Sequence, residues 1–246
     1  MITGKDVLNL RTLVIIPAYN EAQNIVRVVD NLIQNFPQYD YVVVNDGSHD
    51  ETAEICRDHG YCLIDQPINL GLAGAFQTGM KYAMQNHYDA AIQFDGDGQH
   101  RPEFIGAMEE KIKEGYDVVI GSRFVSAEKP KTLRMFGNNL IETFIHMTTH
   151  KTITDPTSGM RMFSRRVIRI LATEINYGPE PDTIAHLIRS GAKVCEVQVK
   201  MDERIAGESY LNLSRSIRYM ATICISIVFI GWFRQKVDLG KEEVLS

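Results

Sequence analysis

From Leu13 onward, short unbroken apolar runs alternate with stretches whose apolar positions recur every three or four residues. The first kind predicts strands buried on both faces, the second amphipathic helices. On that basis LVIIP (13–17), YVVVND (41–46), YCLID (61–65) and DAAIQFD (89–95) are expected strands. EAQNIVRVVDNLIQNF (21–36), DETAEICRDHG (50–60, closed by Gly60) and LAGAFQTGMKYAMQN (72–86) are the helices between them. Such alternation predicts an α/β fold, a Rossmann-like, mostly parallel sheet with helices on both faces. After DVVIGSRF (117–124) the rhythm changes. A basic loop (125–134) leads to the amphipathic stretch RMFGNNLIETFIHMTTH, then DPTSGMRMFSRRV (155–167), a helix from Pro181 and the strand KVCEVQV (193–199). No repeat or low-complexity tract interrupts residues 1–212, which read as one catalytic domain. Residues 213–236 read as an apolar helix and 237–246 as a tail.

Polar clusters fall where three of the strands end: PAYNE (17–21), NDGSHDET (45–52) and DGDGQH (95–100). Each alone is ordinary turn chemistry, and Asp50 or Ser48 is the expected cap of the following helix. All three on one sheet edge outline a pocket, because ligands of open α/β sheets bind beyond the carboxyl ends of the strands.

Composition narrows the class. With 44% apolar residues in 246, the chain can bury a full core. Cys56, Cys62, Cys195 and Cys224 form no CxxC pair and read as buried thiols. The N-terminal sequence lacks a secretory pattern, so a cytoplasmic catalytic body is expected. Net charge is −5, unevenly spread: residues 1–100 carry 5 Lys+Arg against 13 Asp+Glu, and the remainder 21 against 18. An acidic half suited to a metal and a basic half suited to phosphates or a membrane surface is one reading, and ordinary solvated faces are the other. The acidic balance gives no support to nucleic-acid binding.

Asp95 and Asp97, one glycine apart at a strand end, can present oxygens to one hard cation, with Gln99 adding a third. Mg²⁺ or Mn²⁺ fits that donor set and would offset charge growing on a departing nucleoside diphosphate. His100 alone reads as a surface or supporting residue. Asp46, ending the second strand, is placed to accept the imide N–H of a uracil or guanine. NLGLAGAFQTG (69–79) matches neither a dinucleotide fingerprint nor a P-loop, so Gly71 and Gly74 are expected to allow close packing or close approach of the nucleotide.

IIPAYNE, VVNDGS, NLGLAGAFQTG, FDGDGQHRPE, GSRF, DPTSGMRMF and RIAGES occur in an order that resembles the family 2 inverting glycosyltransferases of the GT-A fold. The likeness is greatest to the branch holding dolichyl-phosphate mannose synthase and bacterial polyprenyl-phosphate sugar synthases. It spans roughly residues 12–212. It implies that Pro17, Tyr19, Glu21 and Asp46 hold the nucleotide of a nucleoside-diphosphate-sugar, expected to be UDP-linked. It implies that Asp95, Asp97 and Gln99 hold metal and donor phosphates, and that Arg123, Arg161, Arg204 and Ser209 meet phosphate or acceptor. Three positions depart from the pattern: Asn45 where a first Asp is common, a missing basic residue in NLGLAGA, and Tyr210 where mannose synthases place Lys.

The acceptor decides whether a base is needed, since a sugar hydroxyl must be deprotonated and a lipid phosphate arrives ionised. Asp182, in GPEPDTIAHLIRSG (178–191), resembles the Asp of the family's Glu-Asp element. It is a candidate base, a candidate orienting group, or simple first-turn helix chemistry. The expected catalytic set is therefore Asp95, Asp97, Asp182 and Arg204. Arg123, Arg134, Arg161 and Arg204 fall at loops or loop edges, where planar forks can grip phosphoryl oxygens, and this favours polyprenyl (undecaprenyl) phosphate. Between Arg218 and Arg234, fifteen uncharged residues would make a helix about 22 Å long, too short to span a bilayer but suited to lie in its surface. A buried C-terminal helix, an oligomer contact or a small membrane partner are the other readings. The expected protein is thus a peripheral enzyme of the inner membrane face serving cell-wall or surface glycan assembly. Transfer to a glycan hydroxyl with Asp182 as base, and a non-catalytic nucleotide-sugar-binding protein, are the alternatives.

Overall fold

The computed structural model describes residues 10–96, 98–130, 132–174, 178–202 and 213–239. Seven strands form one sheet: β1 Thr12–Ala18, β2 Asp40–Asn45, β3 Leu63–Asp65, β4 Ala90–Gln93, β5 Val118–Ser122, β6 Arg161–Ser164 and β7 Val194–Gln198. Their order is β3-β2-β1-β4-β6-β5-β7. All neighbouring pairs are parallel except those made by β6, which runs antiparallel between β4 and β5. The helices are α1 Ile25–Asn35, α2 Thr52–Asp58, α3 Gly71–Gln85, α4 Ile105–Lys113, α5 Leu133–Thr149, α6 Arg165–Thr173, α7 Pro181–Arg189 and α8 Leu213–Phe233, with a 3-10 turn at Pro102–Phe104 before α4.

Strand β1 shows why the apolar runs are unbroken. Its odd positions, Leu13 and Ile15, join Phe76 and Met80 of α3 in one core, while Val14 and Ile16 join Ile25, Val29 and Leu32 of α1 in the other. Successive side chains point to opposite faces, so a strand covered on both sides has no polar position to spare. Gly79 lets α3 lie close on this sheet, since a Cβ built there would sit 2.3 Å from Ile15 Cγ2.

Helix α8 packs on α5 and α7 and delivers Ile223, Cys224 and Ile227 to the first core. Gly137 of α5 faces Met220 of α8 so closely that a Cβ there would overlap its sulfur. The side of α8 away from this contact exposes Ile225, Phe229 and Phe233, three positions one turn apart. Along α5, Phe136, Leu140 and Met147 are also exposed, Phe136 at 69%. The apolar C-terminal stretch is thus docked by one face and open on the other. Among the described residues no helix is long and apolar enough to cross a membrane. All four cysteines are free thiols, Cys56 and Cys224 buried and the others partly so.

Replacing Gly79 by Ala is expected to lower stability by about 1–3 kcal/mol from overpacking against Ile15, more than the roughly 1 kcal/mol that helix propensity returns. A fall in the urea midpoint at unchanged slope is the measurement.

Candidate active site

The chain reverses its direction of travel across the sheet between β1 and β4, so the loops leaving these two strands diverge and open a crevice at their carboxyl ends. The loops after β1 and β2 are stitched together above it. Asn20 N–H donates to Ser48 Oγ (2.9 Å), His49 N–H to Asn20 Oδ1 (2.9 Å), Glu21 N–H to Thr52 Oγ1 (2.9 Å) and Ala22 N–H to Asp50 Oδ2 (3.1 Å). Asp50 also accepts the first N–H of α2, from Thr52, at 3.0 Å, while Ser48 donates to Asn45 Oδ1. Asp50, just before the N-cap Glu51, and not Ser48, therefore supplies the side-chain oxygen at the start of α2. Helix α1 begins at Ile25, four residues later than the sequence pattern suggests, because residues 21–24 form this tied turn.

Pro17, Tyr19 and Glu21 sit half-buried at the end of β1, with Tyr19 edge-on to His49 at 6.2 Å. Asp46 follows β2 and is 3% exposed, its Oδ1 accepting the Leu70 N–H at 2.7 Å. That bond pins residues 69–71 over the strand end. Gly47 makes the approach tolerable, since a Cβ there would lie 2.6 Å from the Ile68 carbonyl carbon. Gly71 opens α3 with φ +76°, a conformation that disfavours any side chain. A Cβ on Gly74 would collide with Leu70 Cβ at 2.4 Å, so this glycine serves packing. Asn45 donates to Asp65 Oδ1 at 2.6 Å, a bond an aspartate at position 45 could not donate.

Asp95 follows β4 and closes the other wall. Gln93 Nε2 donates to its Oδ1 at 3.2 Å, and its backbone N–H donates to His100 Nδ1 at 2.9 Å. A Cβ on Gly96 would lie 3.1 Å from the Pro17 oxygen and 3.5 Å from Glu21 Cγ, which brings this loop against the β1 end. Gln99 is partly exposed beside it, with Nε2 donating to the Asp202 carbonyl at 3.4 Å. Asp97 lies outside the described residues, and among those described no three His, Cys, Asp or Glu side chains cluster as a metal site. The Asp95 carboxylate, partly exposed and held by neutral donors, is a hard oxygen ligand that fits Mg²⁺ or Mn²⁺.

Two of the arginines expected to meet phosphate or acceptor hold protein oxygens in this structure. Arg123 forms a bidentate pair with the fully buried Asp155, at 2.7 and 2.8 Å, and adds its backbone N–H to the same carboxylate. Arg161 is 1% exposed and donates to the carbonyls of Pro179 and Pro156, both at 2.6 Å. Burial pushes its pKa down, opposed by the neighbouring Tyr219, Glu180, Asp155 and Asp182. In this structure, then, both guanidiniums hold protein oxygens: Arg123 faces a charge that must be paired when buried, and Arg161 is drawn into the core by the strand that carries it. Arg134 falls in the first turn of α5, and its side chain lies outside the described residues, as do Arg204 and Ser209.

Asp182, at the start of α7, accepts from the Thr183 N–H (2.9 Å) and from Ser226 Oγ of α8 (2.6 Å). Glu180 accepts from Tyr219 of α8. One turn along, the pKa of buried His186 is pushed down to about 4, by burial first and then by Arg234 and Arg189, so at neutral pH its ring is uncharged.

The model of the glycosyl transferase family 2 domain matches residues 13–171. The chain belongs to that family. Among its relatives, the undecaprenyl-phosphate mannosyltransferase of Micrococcus luteus is 28% identical over 215 residues, covering 82% of this chain and 88% of the relative. The UDP-N-acetylglucosamine–dolichyl-phosphate N-acetylglucosaminyltransferase of Methanococcus voltae is 31% identical, over 65% of this chain and 72% of its own. Among solved structures, glucosyl-3-phosphoglycerate synthase from Mycobacterium tuberculosis, in complex with Mn²⁺, UDP and phosphoglyceric acid, superposes with a TM-score of 0.67 at 15% identity, covering 92% of this chain and 80% of that one. The fold is GT-A.

In this family 2 glycosyltransferase the sequence pattern passed over several residues that organise the site. Asp155 sits in the DPTSG stretch, whose pattern alone gives it no separate role. Glu196, in β7, accepts the N–H groups of Thr154 and Asp155 and fixes that turn. Tyr219 and Ser226 lie in a stretch legible only as apolar. The one available signal was their spacing, seven residues apart on one helix face.

Replacing Arg161 by Met leaves two carbonyls and the adjoining acids without their cation. The glycosyltransferase is expected to lose about 3–5 kcal/mol of stability, and Lys is expected not to restore it, because a single ammonium cannot span two carbonyls as a fork does. Chemical denaturation of both variants is the check.

Proposed function

We propose that this protein moves a sugar from a nucleoside-diphosphate-sugar to polyprenyl phosphate with inversion at the sugar carbon, at the inner face of the membrane. The observation that carries the donor half is the convergence of Glu21, Asp46 and Asp95 on one crevice in a family 2 chain. In this reading Pro17, Tyr19 and Asp46 seat the nucleotide, UDP being the expected one. Asp95, Asp97 and Gln99 hold a Mg²⁺ or Mn²⁺ ion, which when bound offsets charge on the leaving diphosphate. Structural relatives crystallised with Mn²⁺ and UDP or with GDP-mannose and Mn²⁺ support a divalent ion.

The acceptor half rests on two kinds of support. Relatives named for undecaprenyl-, dolichyl- and polyprenol-phosphate transfer share most of this chain. The carboxylate of Asp182 already accepts two hydrogen bonds, from the Thr183 N–H and from Ser226 Oγ, which fix its direction and suit it to orienting a substrate. A phosphate acceptor needs no base. Arg204, Ser209 and Arg134 remain the proposed phosphate contacts, with Arg123 and Arg161 acting through the loops they hold. The second reading, transfer to a glycan hydroxyl, requires Asp182 to act as base.

Released nucleoside diphosphate should be measured with UDP-, GDP- and dTDP-sugars, Mn²⁺ or Mg²⁺, with and without undecaprenyl phosphate. One donor is expected to turn over only with the lipid, and silence in every lipid well overturns the proposal. Asp182→Asn is expected to slow that reaction by less than about 100-fold. A larger loss, of the size general-base removal causes, moves the assignment to the second reading.

The exposed apolar rows of α5 and α8, with exposed Arg218 and Lys236 flanking the latter, fit the interfacial zone of an anionic bilayer. Sedimentation with phosphatidylglycerol-containing vesicles is expected to retain the protein. Replacing Phe229 and Phe233 by Ser is expected to weaken retention about tenfold or more, each ring contributing on the order of 1.5 kcal/mol when buried in lipid. Unchanged retention by the double variant removes α8 from the contact.

A further inference from the structure

His100 is placed where few histidines are useful to a protein unless something nearby needs holding. Its side chain is 1% exposed and stands edge-on to Phe94 with ring centroids 5.3 Å apart. Its Nδ1 accepts the backbone N–H of Asp95 at 2.9 Å, which requires a lone pair on that nitrogen. The ring therefore carries its proton on Nε2, and Nε2 faces Asp95 Oδ2 at 3.4 Å. One imidazole thus reads both the backbone and the carboxylate of the same residue.

Two further neighbours constrain the carboxylate, which stays 35% exposed. Gln93 Nε2 donates to Oδ1 at 3.2 Å. Gly159 passes against the opposite edge, where a Cβ would lie 2.8 Å from Asp95 Oδ2 and 3.3 Å from His100 Cε1. A side chain at 159 would meet the carboxylate and the ring together. The arrangement leaves Asp95 one orientation, fixed by an amide, an imidazole and a missing methyl group.

We propose that His100 is the positioning residue of Asp95, holding through its Nδ1 and Nε2 atoms the carboxylate orientation that a divalent ion requires, with Gly159 conserving the space for that hold. The inference rests on the assignment of Asp95 as a metal ligand. Residues behind a ligand commonly set metal affinity by about 10–100-fold, because a ligand that must be oriented at binding gives up part of its binding energy to ordering. His100 itself need not touch the ion or the substrate.

The test is Mn²⁺ binding followed by electron paramagnetic resonance, with UDP present in one series and GDP in another. His100→Asn keeps an oxygen able to accept the Asp95 N–H but withdraws the group facing Oδ2, so the fold is retained and the carboxylate released. Mn²⁺ affinity is expected to fall at least about tenfold with the thermal midpoint within a few degrees. Gly159→Ala disturbs the same carboxylate with His100 intact and is expected to give the same loss. Independently, ¹⁵N spectra of the histidine-labelled wild-type protein are expected to show His100 as the neutral Nε2–H tautomer. Undiminished Mn²⁺ affinity in both variants, or a ring protonated on Nδ1, overturns the proposal. The control is Asp95→Ala: if it abolishes Mn²⁺ binding while the two variants keep it, the role of His100 alone fails. If Asp95→Ala binds Mn²⁺ as tightly as wild type, the metal assignment fails and the inference with it.

Discussion

A guanidinium enclosed by protein has to be met by oxygen, and Arg161 is met by the carbonyls of Pro156 and Pro179. Those two carbonyls belong to different loops, one following the Arg123–Asp155 pair and one leading into α7. Removing the charge from water costs several kcal/mol, and only fixed, well-aimed acceptors offset it. The bond therefore works in both directions: the loops hold the cation, and the cation holds the loops. Because Arg161 pairs with Gln93 across β6 and β4, the same anchor reaches the strand that ends at Asp95. Donor-side and acceptor-side carboxylates are thereby referred to one buried charge.

The acceptor side has a second constraint in α8. Its inner face is core, and from that face Tyr219 and Ser226 donate to Glu180 and Asp182. Burial keeps the Tyr219 phenol protonated, and hence a donor, by pushing its pKa well up. The first turn of α7 is a favourable place for acids, being the positive end of a helix, and the hydroxyls of α8 add direction to that general attraction. Ile225 and Phe229 on the outer face are immediate neighbours in sequence of the turn that carries Ser226. A helix whose one side orients carboxylates and whose other side is apolar and open joins the surface of the protein to Glu180 and Asp182 without a loop between them.

Sequence pattern exposed the strands β1, β2, β3, β4 and β7 because each carries an apolar run, fully buried in β1 and β4 and only partly so in β7. It left β6 unassigned for the opposite reason: four residues, opened by an arginine and passing into α6 without a turn, give periodicity nothing to act on. The antiparallel insertion in an otherwise parallel sheet was invisible for the same cause. The polar turns after β1, β2 and β4 were legible because they are local, Asp and Gly within a few positions of a strand end. The partners of the arginines were not, because each lies far along the chain: Asp155 for Arg123, and Pro179 for Arg161. An arginine in a loop reads as a phosphate fork until the structure supplies the oxygen it already holds. Sequence left His100 open between a surface and a supporting place for the same reason, since only its enclosure by residues 93–95 and 159 separates the two.

The two halves treat charge in opposite ways, and the difference matters for what they can bind. On the acceptor side Asp155 is neutralised outright by Arg123. On the donor side, among the described residues, Asp46 and Asp95 form no ion pair with lysine or arginine, and their partners are dipoles: the Leu70 amide, the Gln93 amide and a neutral imidazole. A dipole fixes a carboxylate without cancelling it, whereas a cation would fix it and spend its field. Carboxylates secured in this manner keep a negative potential at the crevice, in the half of the chain where acids outnumber bases, and at Asp95 that potential suits the divalent ion proposed for it.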